Sequence, residues 1–79
     1  MVLPAKEIVE QIRKEYPIGT RVFLVKMDDP QAPPMGTCGT VKGIDDTGSL
    51  LMKWDTGSSL NVIYGEDIVK KCKGQEDNR

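Results

Sequence analysis

The chain has 79 residues, of which 38% are hydrophobic and 29% are charged, and its formal net charge at pH 7 is −1. This composition is typical of one folded globular domain with a marginal core, and it excludes a disordered chain. The balanced charge argues against non-specific nucleic-acid binding, which needs several clustered cations. Because no apolar run reaches the length of a membrane span and residues 1–7 lack the apolar core of a signal peptide, we expect a cytoplasmic protein without membrane association.

The first predicted element is an amphipathic helix over residues 4–16. Ile8, Ile12 and Tyr16 recur at every fourth position and form one apolar stripe. Pro17 ends the helix, because the residue before a proline is driven out of the helical region. We expect the helix to pack on its own domain.

Five short strands are predicted after the helix, at residues 20–27, 36–44, 49–54, 58–64 and 68–72. In the first of them, Val22 and Leu24 lie on one face. Phe23, Val25 and Met27 lie on the other, and a strand that is apolar on both faces needs cover on both. We expect the helix stripe to cover the second of these faces.

This order of elements predicts a mainly β fold, a five-stranded SH3-like barrel with one N-terminal α-helix. A proline-rich loop follows the first strand, and tight turns flank the strand at 49–54. Residues 1–72 form the single SH3-like domain, and the polar residues 73–79 are predicted to be a disordered tail. A two-layer antiparallel sheet backed by the helix is the alternative fold.

The two cysteines, Cys38 and Cys72, lie far apart in the sequence, and the chain has no histidine. A zinc site needs four nitrogen or sulfur ligands as a rule, so two thiols without histidine cannot complete one within a single chain. We therefore predict no metal and no cofactor. We interpret the cysteines as reduced thiols, at least one of them in or near the core, and a disulfide or redox role is the alternative.

A repeated motif, Asp46-Thr47-Gly48-Ser49 and Asp55-Thr56-Gly57-Ser58, is similar to the one that carries the catalytic carboxylate of aspartic proteases. That chemistry needs two carboxylates sharing one proton. The motifs flank a single strand that rises about 3.3 Å per residue, so they are on the order of 20 Å apart and cannot form one dyad. Both sequences suit tight turns, in which Asp caps the turn and Gly takes a positive φ.

A serine or cysteine nucleophile would need a histidine base, and the chain has no histidine. We therefore predict no catalytic residue and no enzyme activity.

Several short motifs follow one another in order over residues 15–70. They are Pro17-Ile18-Gly19-Thr20-Arg21-Val22, Met27-Asp28-Asp29-Pro30-Gln31-Ala32-Pro33-Pro34, Gly36-Thr37 with Gly39-Thr40-Val41, Asp45-Asp46 with Gly48-Ser49, and Lys53-Trp54-Asp55 with Gly57-Ser58-Ser59-Leu60. In these motifs the chain resembles domain-of-unknown-function family 4314, small proteins or domains from Firmicutes and their phages or mobile elements. The resemblance implies no activity, because none is assigned to the family. The helix and the tail lie outside these motifs.

We predict a binding module that holds a protein or peptide in a shallow groove between its loops. The predicted partner-binding residues are Asp28, Asp29, Asp45, Asp46, Trp54 and Tyr64. Such a groove is acidic and favours a basic partner segment. Core burial is the alternative interpretation of Trp54 and Tyr64, because large aromatic side chains are mostly buried.

A nucleic-acid-associated small barrel is the alternative function. The segment 36–41 is similar to the glycine-bounded strand of small barrels in ribosomal and transcription factors. The balanced charge makes nucleic acid a less favoured partner than a protein. We expect a monomer or a weak dimer.

Overall fold

The computed structural model describes residues 5–72. Its elements in chain order are the helix α1 (Lys6–Glu15) and the strands β1 (Arg21–Lys26), β2 (Cys38–Ile44), β3 (Leu50–Trp54) and β4 (Ile68–Lys71). The strands form one antiparallel sheet in the order β3-β2-β1-β4. The predicted mainly β fold with one helix is confirmed, and the predicted tail lies outside the described residues. Over residues 5–72 no helix is long and apolar enough to span a membrane.

The predicted five-stranded SH3-like barrel is not confirmed, because the described residues form a four-stranded sheet that does not close. The strand that is missing is the one predicted at 58–64. This segment makes a single β-bridge to β3, in which Leu50 and Val62 exchange two hydrogen bonds of 2.9 and 3.0 Å.

Side-chain hydrogen bonds explain why this segment does not pair further with β3. The indole N–H of Trp54 donates to the Leu60 carbonyl at 2.7 Å, and the Leu60 N–H donates to Ser58 Oγ at 3.2 Å. On β3, the Met52 N–H donates to the side-chain oxygen of Asn61 at 3.2 Å. Backbone groups that a fifth strand would use for its ladder are therefore bound to side chains instead.

The core lies on one face of the sheet. Its buried cluster consists of Val22, Leu24, Val41, Leu50, Met52, Trp54 and Val62. Ile12 of α1 and Tyr16, the residue that follows the helix, pack against this cluster, which includes the Val22 and Leu24 face of β1. The prediction that the helix covers the Phe23 and Val25 face is therefore wrong.

The turn between α1 and β1 gives the physical reason for the side on which the helix lies. The Gly19 N–H donates to the Val41 carbonyl at 2.8 Å, and the buried Thr20 hydroxyl donates to the Pro17 carbonyl at 2.6 Å. On the helix, Arg13 Nη2 donates to the Ile44 carbonyl at 3.3 Å. These bonds tie both the helix and its turn to β2, so the helix stripe meets the core.

Close packing of Trp54 against the backbone of β2 requires a glycine at position 39. Gly39 pairs with Trp54 in the register of β2 and β3. A Cβ at Gly39 would lie 2.6 Å from Trp54 Cε3, a separation that real Cβ atoms do not show. The indole ring therefore packs on a position that only glycine can fill.

Candidate functional site

An acidic groove lies where the end of β1 meets the chain that leads into β4. Its lining residues are Met27, Asp28, Asp29, Leu60, Asn61, Ile63, Glu66 and Asp67, and its volume is about 280 Å³. Four of these residues are acidic and none is basic. We call this cleft the acidic groove, and its negative potential suits a cationic ligand.

Two of the four carboxylates are held in place by turns. Asp29 accepts a hydrogen bond from the Gln31 N–H at 2.8 Å, and Asp67 accepts one from the Ile63 N–H at 2.7 Å. Asp28 and Glu66 are exposed at the surface of the groove. Two of the carboxylates are thus held by backbone N–H groups, and three of the four, including that of Asp29, are exposed to solvent.

A second cleft adjoins the acidic groove and shares Ile63 and Asp67 with it. This apolar groove lies between α1 and the chain that leads into β4. Its apolar and aromatic lining residues are Ile12, Tyr16, Leu50, Val62, Ile63, Tyr64, Ile68 and Val69. Tyr64 is 45% exposed and Ile68 is 47% exposed. One continuous surface therefore offers carboxylates on one side and apolar side chains on the other.

The six predicted partner-binding residues do not lie together in one groove. Asp28 and Asp29 line the acidic groove, and Tyr64 lines the adjoining apolar groove. Trp54 is only 1% exposed and belongs to the core, and it lines neither of these two grooves. Asp45 and Asp46 line neither groove.

Asp45 caps the turn between β2 and β3. One of its carboxylate oxygens accepts hydrogen bonds from the Thr47 hydroxyl at 2.6 Å, the Thr47 N–H at 2.9 Å and the Ser49 N–H at 3.0 Å. The Thr47 hydroxyl contributes most to a lowered pKa of Asp45, and the two N–H groups add to it. Asp46, in contrast, is fully exposed, with one carboxylate oxygen 3.7 Å from Arg13 Nη2.

Replacing Asp45 with alanine is expected to cost about 1–2 kcal/mol of stability at neutral pH, because the turn loses hydrogen bonds to a charged acceptor. Since the folded-state pKa of Asp45 lies below its unfolded value, this stability exists above the unfolded pKa and is lost as the pH falls through the folded one. The difference in free energy of unfolding between wild type and Asp45→Ala should therefore be smaller in acid than at neutral pH. Urea unfolding at neutral pH and at acidic pH measures it. Asp46→Ala serves as the control, and an equal loss in both variants would contradict the capping role.

The two Asp-Thr-Gly motifs lie at opposite ends of β3, as predicted. Gly48 and Gly57 take positive φ angles of 81° and 100°, as expected for these turns. Asp55 does not cap its turn. Instead, its two carboxylate oxygens accept hydrogen bonds of 2.8 and 2.7 Å from the Arg21 guanidinium, which lower the pKa of Asp55.

Glu66 and Asp67 are the two acidic residues of the groove that the sequence does not indicate. They lie in the short link between the strands predicted at 58–64 and 68–72. This link reaches the groove because the start of β4 pairs with the end of β1, Ile68 with Lys26. Two consecutive acidic residues directly before a short strand are the one available signal in the sequence, and that signal does not show which loop lies opposite.

Within residues 5–72, no three His, Cys, Asp or Glu side chains are grouped so that they could hold a metal ion. The carboxylates of the acidic groove can bind a positively charged side chain, and the neighbouring apolar groove can bury an apolar one.

Comparison with known proteins finds one family. The model described as Domain of unknown function (DUF4314) matches residues 5–72. This match includes α1 as well as the four strands, so it extends beyond the motifs recognised at residues 15–70. Neither the curated proteins nor the solved structures contain a match. The chain therefore belongs to the DUF4314 family of domains of unknown function.

Proposed function

We propose that this domain is a cytoplasmic, non-catalytic binding module. Its ligand is a polypeptide segment that carries basic side chains next to apolar ones. The observation that supports this most strongly is the junction of the acidic groove with the apolar groove along Ile63 and Asp67.

Charge complementarity selects the basic part of the partner. Asp28, Asp29, Glu66 and Asp67 line the acidic groove, and no lysine or arginine lines it with them. Complementary charge speeds encounter and suppresses wrong partners more than it adds affinity. Lysine or arginine side chains are thus favoured, and acidic segments are repelled.

Apolar contact supplies the affinity that exposed charges do not. Ile63, Tyr64 and Ile68 are 40–47% exposed and lie together in the apolar groove. Covering apolar surface contributes about 25 cal/mol per Å² before the costs of association. Tyrosine is a frequent anchor of protein interfaces, so Tyr64 is the expected hot spot.

A peptide library displayed on phage tests the proposal with a partner of unknown sequence. Selection on the wild-type domain should enrich peptides in which lysine or arginine stands next to leucine, isoleucine or an aromatic residue. The double variant Asp28→Lys/Glu66→Lys should bind the selected peptides at least tenfold more weakly, because it reverses two exposed charges of the groove. Tyr64→Ala should also weaken the binding of the selected peptides.

The matched control is Glu7→Lys/Asp46→Lys, which changes the net charge equally at two exposed positions outside both grooves. It should bind the selected peptides as the wild type does. Equal weakening in both double variants would reduce the effect to overall charge and contradict the proposed site. Enrichment of acidic or uncharged peptides would contradict the proposed ligand.

A nucleic-acid-associated role is the second candidate, and one observation favours it. On the sheet face opposite the core, here called the outer face, Lys70 pairs with the aromatic Phe23, and Lys53 pairs with Thr40, which itself pairs with Arg21. Cations around an aromatic ring suit a single strand of nucleic acid. A gel shift at low salt with single-stranded DNA and RNA should be lost in Lys53→Glu/Lys70→Glu and kept in Lys6→Glu/Lys14→Glu if this role holds.

A further inference from the structure

The two cysteines of the chain lie 34 positions apart and meet on the outer face of the sheet. Cys38 begins β2 and pairs with Phe23 of β1, while Cys72 follows β4 and donates its N–H to the Arg21 carbonyl of β1 at 3.0 Å. Their sulfur atoms are 3.8 Å apart, the contact distance of two reduced thiols, and both residues are partly exposed. The fold thus brings two nucleophilic side chains together at a surface that solvent reaches.

The strand between the two cysteines leaves them room to approach. Cys72 bonds to the backbone of Arg21 and Cys38 pairs with Phe23, so Val22 is the residue of β1 that lies between these two positions. Val22 is fully buried in the core, which places its side chain on the opposite face of the sheet. The outer face of β1 is therefore open between the side chains of Arg21 and Phe23.

A covalent bond between the two sulfur atoms needs a further approach of roughly 1.8 Å, because a disulfide bond is about 2.05 Å long. Cys38 is held from both sides: it pairs with Phe23, and its carbonyl accepts a hydrogen bond from the Asp55 N–H at 2.9 Å. Cys72 lies beyond the last residue of β4, which is an edge strand of the sheet. We expect the end of β4 to make most of this movement, since it has neighbours on one side only.

We propose that Cys38 and Cys72 form a reversible redox site, which a low-molecular-weight disulfide such as oxidised glutathione converts into an intramolecular disulfide. One thiolate of the pair attacks the glutathione disulfide, forms a mixed disulfide and releases one reduced glutathione. The second thiolate then attacks the protein sulfur of the mixed disulfide and releases the other glutathione. The two electrons and two protons that the cysteines lose pass to the two glutathione thiols, so no further oxidant takes part.

The bond would fasten the shortest strand of the sheet. β4 has four residues and stands at the edge of the sheet beside β1. Short edge strands open locally more readily than strands paired on both sides. A disulfide from Cys72 to Cys38 would join the end of β4 to β2, and such a cross-link disfavours the open chain. Because Ile68 and Val69 of β4 line the apolar groove, the oxidised form would also hold one wall of that groove.

The experiment equilibrates the protein with mixtures of reduced and oxidised glutathione, once folded and once in urea, and reads the products by mass spectrometry after acid quenching. It is run at pH 8, because burial raises the pKa of the Cys72 thiol and the thiolate is the reacting form. The folded protein should lose the mass of two hydrogen atoms without gaining glutathione. The effective concentration of one thiol at the other should be at least about tenfold higher in the folded protein than in urea.

The two equilibria belong to one thermodynamic cycle, so the folding constant of the oxidised protein should exceed that of the reduced protein by the same factor. Urea unfolding of both forms measures this, and the amides of β4 should exchange their hydrogens more slowly in the oxidised form. Cys38→Ser and Cys72→Ser are the matched controls, and each should stop at the mixed disulfide with one glutathione. Asp28→Lys/Glu66→Lys should close the disulfide as the wild type does, which keeps the acidic groove and the redox site distinguishable.

An effective concentration that is no higher in the folded protein than in urea overturns the proposal, because the two thiols are then in contact only and the fold does not favour their bond. A folded protein that ends as a mixed disulfide with glutathione, or as a disulfide-linked dimer, overturns it as well. If a serine variant fails to fold by circular dichroism, the comparison of folded and urea-unfolded wild type still decides the question.

Discussion

Replacing Trp54 with alanine is expected to destabilise the domain by about 3–5 kcal/mol, the usual cost of removing a buried aromatic side chain. Trp54 is 1% exposed and is among the largest fully buried side chains of the described chain. Its loss would open a cavity in the core and would also leave the Leu60 carbonyl without the indole donor. Because small domains have a total stability of about 5–15 kcal/mol, the variant should be close to unfolding.

Urea unfolding followed by far-ultraviolet circular dichroism measures this loss, since Trp54 is the chain's single tryptophan and fluorescence disappears with it. Trp54→Phe is the matched variant: it keeps most of the apolar volume but has no donor for Leu60, and it should lose less than Trp54→Ala. A loss below about 1 kcal/mol in Trp54→Ala would place the side chain outside a packed core.

Replacing Gly39 with alanine is expected to destabilise the domain by about 1–3 kcal/mol through overpacking. The added Cβ would meet Trp54 Cε3 at 2.6 Å, Met52 Cε at 3.0 Å and the Lys53 carbonyl oxygen at 3.1 Å. The last of these is backbone of the paired strand and cannot turn aside. The indole ring or the pairing of β2 with β3 must therefore shift.

Gly43→Ala on the same strand is the matched control. A Cβ there would meet only Leu51 Cδ1, at the ordinary contact distance of 3.5 Å. Thermal unfolding should therefore show a clear loss for Gly39→Ala and a change near zero for Gly43→Ala. Equal melting temperatures of Gly39→Ala and the wild type would contradict the close packing of Trp54 on β2.

The elements that could be predicted are those that local sequence determines. The helix has the expected period and ends before Pro17, and the structure places it at Lys6–Glu15. The turns at Gly48 and Gly57 need a positive φ, which the residue type alone indicates. In each case the decisive interaction lies within a few residues along the chain.

Two features of the fold could not be predicted, because they depend on hydrogen bonds that the periodicity of a segment does not indicate. Leu60, Val62 and Tyr64 alternate as in a strand, but the indole of Trp54 binds the Leu60 carbonyl and the segment remains mostly unpaired. Likewise, β1 is apolar on both faces, and the bonds of the preceding turn to β2 decide which face the helix covers. Neither the indole bond to Leu60 nor the bonds of the turn to β2 can be read from the periodicity of these segments.

The candidate site shows the same division. Asp28 and Asp29 were recognised as acidic loop residues, and both line the acidic groove. Glu66 and Asp67 reach that groove only through the pairing of β1 with β4, a contact between the two ends of the domain. A net charge of −1 also concealed that four acidic residues line one groove with no basic residue among them.

The most direct test of the proposed function is a titration of the isotopically labelled domain with a synthetic peptide of alternating lysine and leucine, followed by NMR. We expect saturable shifts at the amides of Asp28, Ile63 and Glu66, with the amides of Cys38 and Lys53 unchanged. The same peptide with glutamate in place of lysine should cause none of these shifts. Shifts confined to the outer face, or equal shifts with both peptides, would contradict the assignment of the acidic and apolar grooves as the binding site.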